Sequence, residues 1–215
     1  NQVQSAIDAT PLGGSAQLYA PPGTLIVLDG TAFTITSKSI SLVSSDEGAI
    51  IDGGGRSRLF TLLTGAALEL TGVNCTNGRA TQLSPLGPAG GAFLIGESNL
   101  TLVGAFVTNC TVTDNSASSK GGGMYNYKGN PTFTNCIIWG NETIAQNVRG
   151  QGPPSYYNSI IEGSGGSDNW DNSFGTNGGY NFDSDPWFFR KSNPGDAPTS
   201  VGDFHLLRGS LAIDS

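Results

Sequence analysis

The sequence predicts an all-β chain folded as one right-handed parallel β-helix (a β-solenoid) with a loop-rich, aromatic C-terminal cap. Three observations predict it. Glycine is very frequent, at 32 of 215 residues, and charged residues are few, at 13%; with abundant Asn, Ser and Thr and scattered Val, Ile, Leu and Phe, this reads as short strands between frequent turns. The chain also repeats itself. Gly90-Gly91-Ala92-Phe93 returns 31 positions later as Gly121-Gly122-Gly123-Met124, and Val107-Thr108-Asn109-Cys110-Thr111 returns 26 positions later as Phe133-Thr134-Asn135-Cys136-Ile137. Finally, the Asn-Cys steps are followed by polar turns, at Asn77-Gly78, Asp114-Asn115, Gly140-Asn141 and Gly163-Ser164. Repeats of roughly 20–30 residues with short alternating strands mean a solenoid.

The elements follow in chain order. Gln2–Ala9 reads as a short helical turn or cap. Residues 16–19, 24–28, 33–35, 40–43 and 49–52 read as strands, separated by turns at Pro21-Pro22-Gly23, Asp29-Gly30, Ser44-Ser45-Asp46 and Gly53-Gly54-Gly55. Residues 59–63 open the next coil. Leu68-Glu69-Leu70, Leu100-Thr101-Leu102 and Thr132-Phe133-Thr134 alternate as strands do. Gly72-Val73-Asn74-Cys75-Thr76 is an earlier relative of the Asn-Cys step, and Tyr157-Asn158-Ser159-Ile160 a later one. The spacings Cys75 to Cys110, Cys110 to Cys136 and Cys136 to Ser159 are 35, 26 and 23 residues; the long first one reflects an inserted loop over 79–88, rich in Pro, Gly and Ser. The expected organisation is a single domain over 1–215, with coils over 1–160 and an irregular final coil and cap over 161–215.

Stacked coils, about 4.8 Å apart, place like residues over like. Cys75, Cys110, Cys136 and Ser159 are therefore expected to line up as small inward residues. Asn74, Asn109, Asn135 and Asn158 are expected on the other face or at a bend. Buried reduced thiols are the preferred reading of the cysteines; a disulfide between neighbouring coils is the alternative, since the stacking distance falls in the usual Cα range. Three cysteines are an odd number, and with a single His, His205, no zinc pattern fits.

Ile51-Asp52-Gly53-Gly54-Gly55, the stretch 70–78, the Gly-Gly-hydrophobic step and the stretch 134–141 together resemble right-handed β-helix repeats of secreted surface proteins, including the polymorphic outer membrane proteins of chlamydiae. Asp185-Pro186-Trp187-Phe188 and the stretch 202–214 are similar to the segment that closes many bacterial β-helix domains. The resemblance covers nearly the whole chain, departing from the pattern at 79–88 and 162–182. It implies a fold and a surface location more than an activity, because this fold hosts adhesins, structural proteins, lyases, epimerases and glycan hydrolases.

The net charge, 10 − 17 = −7, with no basic cluster, argues against nucleic acid and anionic membrane surfaces as partners. No apolar run of about 18 residues exists, so no membrane insertion by this segment is expected. The first residues read as a mature or trimmed start. Sequons at Asn74, Asn99, Asn109 and Asn141 are the possible glycosylation sites, although a chain rich in Thr and Asn produces sequons by chance. A secreted or cell-surface location is expected.

For the crowded aromatics of the C-terminal third there are two readings. Trp187, Phe188 and Phe204 are expected to cap the open end of the core. Tyr156, Tyr157 and Trp170 are the candidates for a carbohydrate-stacking platform. Asp168, Asp171, Asp183 and Asp185 could hold calcium, but their spacing is that of turn-forming Asp; no metal and no cofactor are expected. Catalytic readings lack support. No polygalacturonase-like motif is present, and the basic residues a lyase or epimerase needs (Lys120, Lys128, Arg149, Arg56, Arg58) are scattered in turns. His205 is expected to pack or cap. The expected function is a non-enzymatic extracellular structural or adhesive protein, whose partners are further copies of itself, forming a fibre, or extracellular glycans. A polysaccharide lyase or epimerase is the alternative. Ice binding through Thr34, Thr36, Thr61, Thr71, Thr101, Thr111, Thr113 and Thr134 ranks below it, because Thr-x-Thr does not recur at one coil phase.

Overall fold

The computed structural model describes residues 2–45, 48–81, 87–96, 104–127, 129–143, 148–150, 154–190 and 203–213. The expected strand 100–102 and Asp46 of the third turn lie outside the described residues. The first part of the chain runs α1 (Gln2–Ala9), β1 (Ser15–Tyr19), β2 (Leu25–Val27), β3 (Phe33–Ile35), β4 (Ser39–Val43), β5 (Ala49–Asp52), β6 (Phe60–Leu62), β7 (Ala67–Thr71) and β8 (Val73–Thr76). The middle runs β9 (Arg79–Ala80), β10 (Phe93–Ile95), β11 (Gly104–Thr108), β12 (Thr111–Thr113), β13 (Ser116–Ala117), β14 (Met124–Asn126), β15 (Thr132–Thr134), β16 (Ile137–Trp139) and β17 (Glu142–Thr143). The last part holds β18 (Val148–Gly150), β19 (Ser155–Tyr157), β20 (Ile160–Ile161), a 3₁₀ turn (Asn172–Phe174), β21 (Thr176–Asn177), β22 (Phe188–Arg190) and β23 (Asp203–Leu206).

Strand accounts for 42% of the described residues and helix for 6%, which makes the class all-β. The strands form parallel sheets that do not close into a barrel. Sheet A is β1-β4-β7-β11-β15-β19-β21, sheet B is β2-β5-β8-β12-β16-β20, and sheet C is β3-β6-β10-β14-β18. The chain visits A, B and C in rotation. From β9 onward a short fourth sheet, β9-β13-β17, is inserted between B and C. Arg79 and Ala80 therefore belong to a strand, paired with Ser116 and Ala117, and not to the inserted loop expected to start at residue 79.

Like stands over like along each sheet. Sheet A stacks Leu18, Leu42, Leu70, Val107, Phe133 and Tyr156. Sheet B stacks Ile26, Ile51, Cys75, Val112, Ile138 and Ile161. Sheet C stacks Phe33, Phe60, Phe93 and Met124. These rows face a common core. Through it runs a column of rings in contact, Phe33–Phe60–Phe93–Phe133–Tyr156–Trp170–Phe174, with centroids 5.4–6.4 Å apart. The column crosses from sheet C to sheet A between Phe93 and Phe133. At one end α1 packs against β3 and β1 and buries Ile7.

The C-terminal aromatics divide differently from the expectation. Trp170 and Phe174 close the core column. Phe188 instead joins Ile137 and Ile160 in a second, small cluster, with Phe204 and Leu206 packed on it. Ile137 and Ile160 alternate with the core-facing Ile138 and Ile161, so the β22–β23 hairpin covers the outer face of sheet B and does not cap the end. Trp187 is half exposed.

The hydroxyl of Tyr156 is fully buried without a hydrogen-bond partner. Removing it deletes an unmet desolvation penalty and leaves the ring contacts intact, so Tyr156→Phe should keep or raise stability, by about 1 kcal/mol. Urea denaturation checks this; a clear loss of stability would mean that the hydroxyl is bonded in solution.

Candidate functional site

The bend between sheets A and B carries the most regular side-chain pattern. Its first residue is left-handed in successive coils: Gly72, Asn109, Asn135, Asn158 and Tyr180, with φ of 65°, 52°, 52°, 48° and 56°. Gly and Asn tolerate this conformation better than other residues. The backbone N–H groups of Asn109, Asn135 and Asn158 each donate to a carbonyl of the following coil (Thr134, Tyr157 and Gly179), all at 3.1 Å. The next position along holds Val73, Cys110, Cys136, Ser159 and Asn181. From the second coil onward its side chain accepts the N–H of the residue one coil earlier. Val73 N donates to Cys110 Sγ at 3.4 Å, Cys136 N to Ser159 Oγ at 3.1 Å, and Ser159 N to Asn181 Oδ1 at 3.0 Å. Cys110 Sγ, Cys136 Sγ and Ser159 Oγ in turn donate to the carbonyls of Thr108, Thr134 and Tyr157, two residues back. The residue after the asparagine thus needs a small side chain that both donates and accepts.

The expected cysteine row is therefore corrected. Cys110, Cys136 and Ser159 line up, but Cys75 stands two residues further on, in the core row of sheet B, where its partner is Val112. Asn74 takes the first of its two expected places, alternating with the buried Val73 and Cys75 in β8, whereas Asn109, Asn135 and Asn158 stand at the bend. All three cysteines are buried and free, so no coil-to-coil disulfide forms. Burial pushes the Cys110 thiol up to about 12 from 9.0, and lifts Cys75 and Cys136 well above the ordinary range for the same reason. The native protein should leave a thiol-reactive dye unconsumed at neutral pH and take up three equivalents when unfolded. The sign of the alkaline effect follows from the raised folded values: above pH 9.0 the unfolded chain loses thiol protons that the folded chain keeps. Stability from these groups is complete below that pH and falls as pH rises toward about 12. Cys136→Ser, which copies Ser159, should retain the fold and reduce the slope; an unchanged slope would refute the assignment.

Along the asparagine bend lies a groove of about 360 Å³ whose lining includes Asn109, Asn135 and Asn158 together with Ile137, Phe182 and Leu206. The three asparagines are exposed. Asn135 Nδ2 donates to Asn109 Oδ1 at 3.1 Å. Among the described residues, no charged side chain lines the groove.

Other candidate residues are placed elsewhere. Tyr156 has no exposed surface, and Phe133 and Trp170 occupy its two sides, so its ring is closed to any sugar. Trp170 is half-buried and donates through Nε1 to Gly175 O at 2.9 Å. Tyr157 is 39% exposed, with its ring laid against Gly178. The three do not form one platform. Among the sequons, Asn109 is exposed, and Asn99 lies outside the described residues. Asn141 is buried: its Nδ2 donates to Val112 O, and its Oδ1 accepts from Asn115 N and Nδ2. Its amide is occupied in the fold.

Asp183 accepts the amides of Gly163 and Gly165, both at 2.9 Å, Asp171 accepts Ser173 N, and Asp185 accepts Trp187 N. These are turn-closing bonds. Among the described residues, no group of three His, Cys, Asp or Glu is placed to hold a metal. Arg58, expected in a solvated turn, is 3% exposed; its guanidinium donates to Gly87 O, and burial lowers its pKa to about 10. Lys120 sits 6.0 Å from the Tyr125 ring, and Lys128 and the side chain of Arg149 lie outside the described residues. His205, expected to pack or cap, is exposed and pairs through Nδ1 with Asp203 at 2.6 Å. Thr101 lies outside the described residues, and the described threonines form no flat array. Thr71, Thr108 and Thr134 share a row that ends in Val43 and Tyr157, and the Thr34–Thr61 row continues as Leu94 and Tyr125.

The groove itself was not foreseen. Its walls come from residues 109–160 and 182–212, and no local pattern links them. Among the described residues, no helix is long and apolar enough to cross a membrane. No protein-family model, no curated protein and no solved structure matches the chain.

Proposed function

We propose that the protein is a right-handed parallel β-helix serving as a non-catalytic, extracellular structural or adhesive element, with a coil design like that of the surface-protein repeats it resembles. Right-handed crossover is the rule for parallel strands joined within one sheet. One observation carries the reading: the polar side chains that recur with the coil are used to close backbone. Cys110, Cys136, Ser159 and Asn181 accept amides at one bend, and Asn115 and Asn141 do the same at the next. Asn115 alone accepts Gly78 N and donates to the carbonyls of Cys75 and Thr113 and to Asn141 Oδ1. Repetition here serves a rigid rod with a surface. The test is retention of the protein on immobilised polysaccharides, followed by measurement of the polymers' chain length. Retention with unchanged chain length is expected. New reducing ends or unsaturated uronates would replace this reading with the lyase, and absence of retention on every polymer would remove the adhesive role.

Self-association has its own observation. β1 and β2 are the end strands of their sheets, and Tyr19, Leu25 and Val27 on them are 63%, 58% and 55% exposed beside a hollow of about 730 Å³. Unpaired strand edges with apolar side chains favour edge-to-edge pairing. Sedimentation equilibrium should show concentration-dependent association that a Leu25→Lys, Val27→Lys double variant abolishes; a monomer at every concentration would end this reading.

A further inference from the structure

We infer that the groove along the asparagine bend binds an extended, uncharged glycan chain, one sugar to each coil; this rests on the adhesive reading and names its ligand class. The backbone favours Gly or Asn at these positions, but does not explain why they are Asn here. Gly72 meets the same left-handed requirement one coil earlier with no side chain. The three coils that line the groove carry carboxamides instead, all exposed. The Asn135–Asn109 bond uses one donor and one acceptor. Asn109 Nδ2, Asn135 Oδ1 and both polar atoms of the Asn158 carboxamide face solvent without a partner among the described residues. A carboxamide offers two donors and an acceptor in one plane, which matches a pair of adjacent sugar hydroxyls.

Spacing and floor point the same way. Rungs repeat at about 4.8 Å along the stack, close to the length of one pyranose unit in an extended polymer. Beside the carboxamides, the half-buried Phe182 and Leu206 add apolar surface for the C–H face of a sugar ring. At about 360 Å³, with polar and apolar lining in similar measure, the groove has the size of a small-ligand site. Charge selects among polymers. Among the described residues the groove lining has no cation to meet a uronate or sulfate, and the chain's net charge of −7 repels one.

The test exploits the backbone. Asn109→Gly, Asn135→Gly and Asn158→Gly together delete the carboxamides and keep a residue suited to positive φ, as Gly72 is in the native chain. Titration calorimetry of wild type and triple variant with neutral hexasaccharides (cello-, xylo-, manno- and chito-oligomers) and with oligogalacturonate reads the outcome. The expected result is binding of at least one neutral oligomer, weakened at least about tenfold in the triple variant while the melting temperature stays within a few degrees. Affinity should hardly change with ionic strength, since no charge is paired. Equal affinity in the triple variant would overturn the groove assignment and leave the adhesive reading standing. Preference for oligogalacturonate, or steep salt dependence, would overturn the uncharged-ligand assignment. A wild type that binds no hexasaccharide while still retained on immobilised polymers would overturn the groove alone; failure of both would remove the adhesive reading with it. If the triple variant unfolds, Asn135→Gly alone is read against the same oligomers by the same criterion.

Discussion

Gly91→Ala is expected to remove a large part of the protein's stability and to lower its melting temperature sharply. A Cβ at Gly91 would stand 2.1 Å from Gly122 O, 2.5 Å from Ser116 O and 2.8 Å from Ser116 N. All three are backbone atoms of the next coil, and backbone inside a hydrogen-bonded ladder cannot rotate away. Relief requires the coils to separate where Ala92 N bonds to Gly122 O at 3.2 Å and Gly91 N to Gly121 O at 3.0 Å. Ordinary overpacking in a core costs about 1–3 kcal/mol, because side chains share the strain. Here nothing shares it, and a cost of about 3 kcal/mol or more is expected, a large part of the usual 5–15 kcal/mol of stability. Gly13→Ala is the comparison. Its φ is +75°, but a Cβ there meets nothing within 4 Å, so only the conformational penalty of about 1–2 kcal/mol remains. Thermal melts followed by circular dichroism should rank Gly91→Ala far below Gly13→Ala; equal melting temperatures would mean that the coils are not packed this closely.

The same glycine shows what a linear reading can reach. The recurrence of Gly90-Gly91 at Gly121-Gly122 marked a tight bend, and the structure divides the work between the two residues. Gly90 and Gly121 take positive φ and lie close against the Phe93 and Met124 carbonyls of their own turn, while Gly91 and Gly122 permit the close approach of the next coil. The polar turns at Asn77, Asp114, Gly140 and Gly163 also fall at one phase, all with positive φ. These features were legible because each is local and repeats with a few residues of context. The Cys75 error has a physical cause as well. The bend is specified by whichever residue adopts the left-handed conformation; in that coil the residue is Gly72, so Asn74-Cys75 imitates the motif two places out of phase. Side-chain identity alone could not separate the two, whereas φ could. Burial of Arg58 depends on Gly87, well away in sequence, and the aromatic hairpin covers a sheet face instead of the open end because Ile137 and Ile160 present an apolar outer surface. Those are long-range contacts, and so is the groove beside the asparagines.

The aromatic column is the second place where a large effect is expected. Phe93 is fully buried at its middle, 5.4 Å from Phe60 in a stacked arrangement and 6.4 Å from Phe133 edge to face. Phe93→Ala removes the ring where the column passes from sheet C to sheet A, and the surrounding backbone, fixed by parallel pairing on both sides, cannot collapse into the space. Large-to-small changes at such sites cost about 3–5 kcal/mol. For a chain of this size that lowers the melting temperature by roughly 6–20 °C, at about 2–4 °C per kcal/mol. Phe93→Leu keeps most of the volume and should cost well under half as much. Position along the stack is the discriminating variable. In an array whose units contact only their neighbours, an end unit loses one interface and a central unit two. Phe33 touches one ring of the column and Phe93 touches two; Phe33→Ala should therefore be distinctly milder than Phe93→Ala. Equal losses from the two would show that the core melts as one undivided body, with no additive, coil-by-coil contribution from the column.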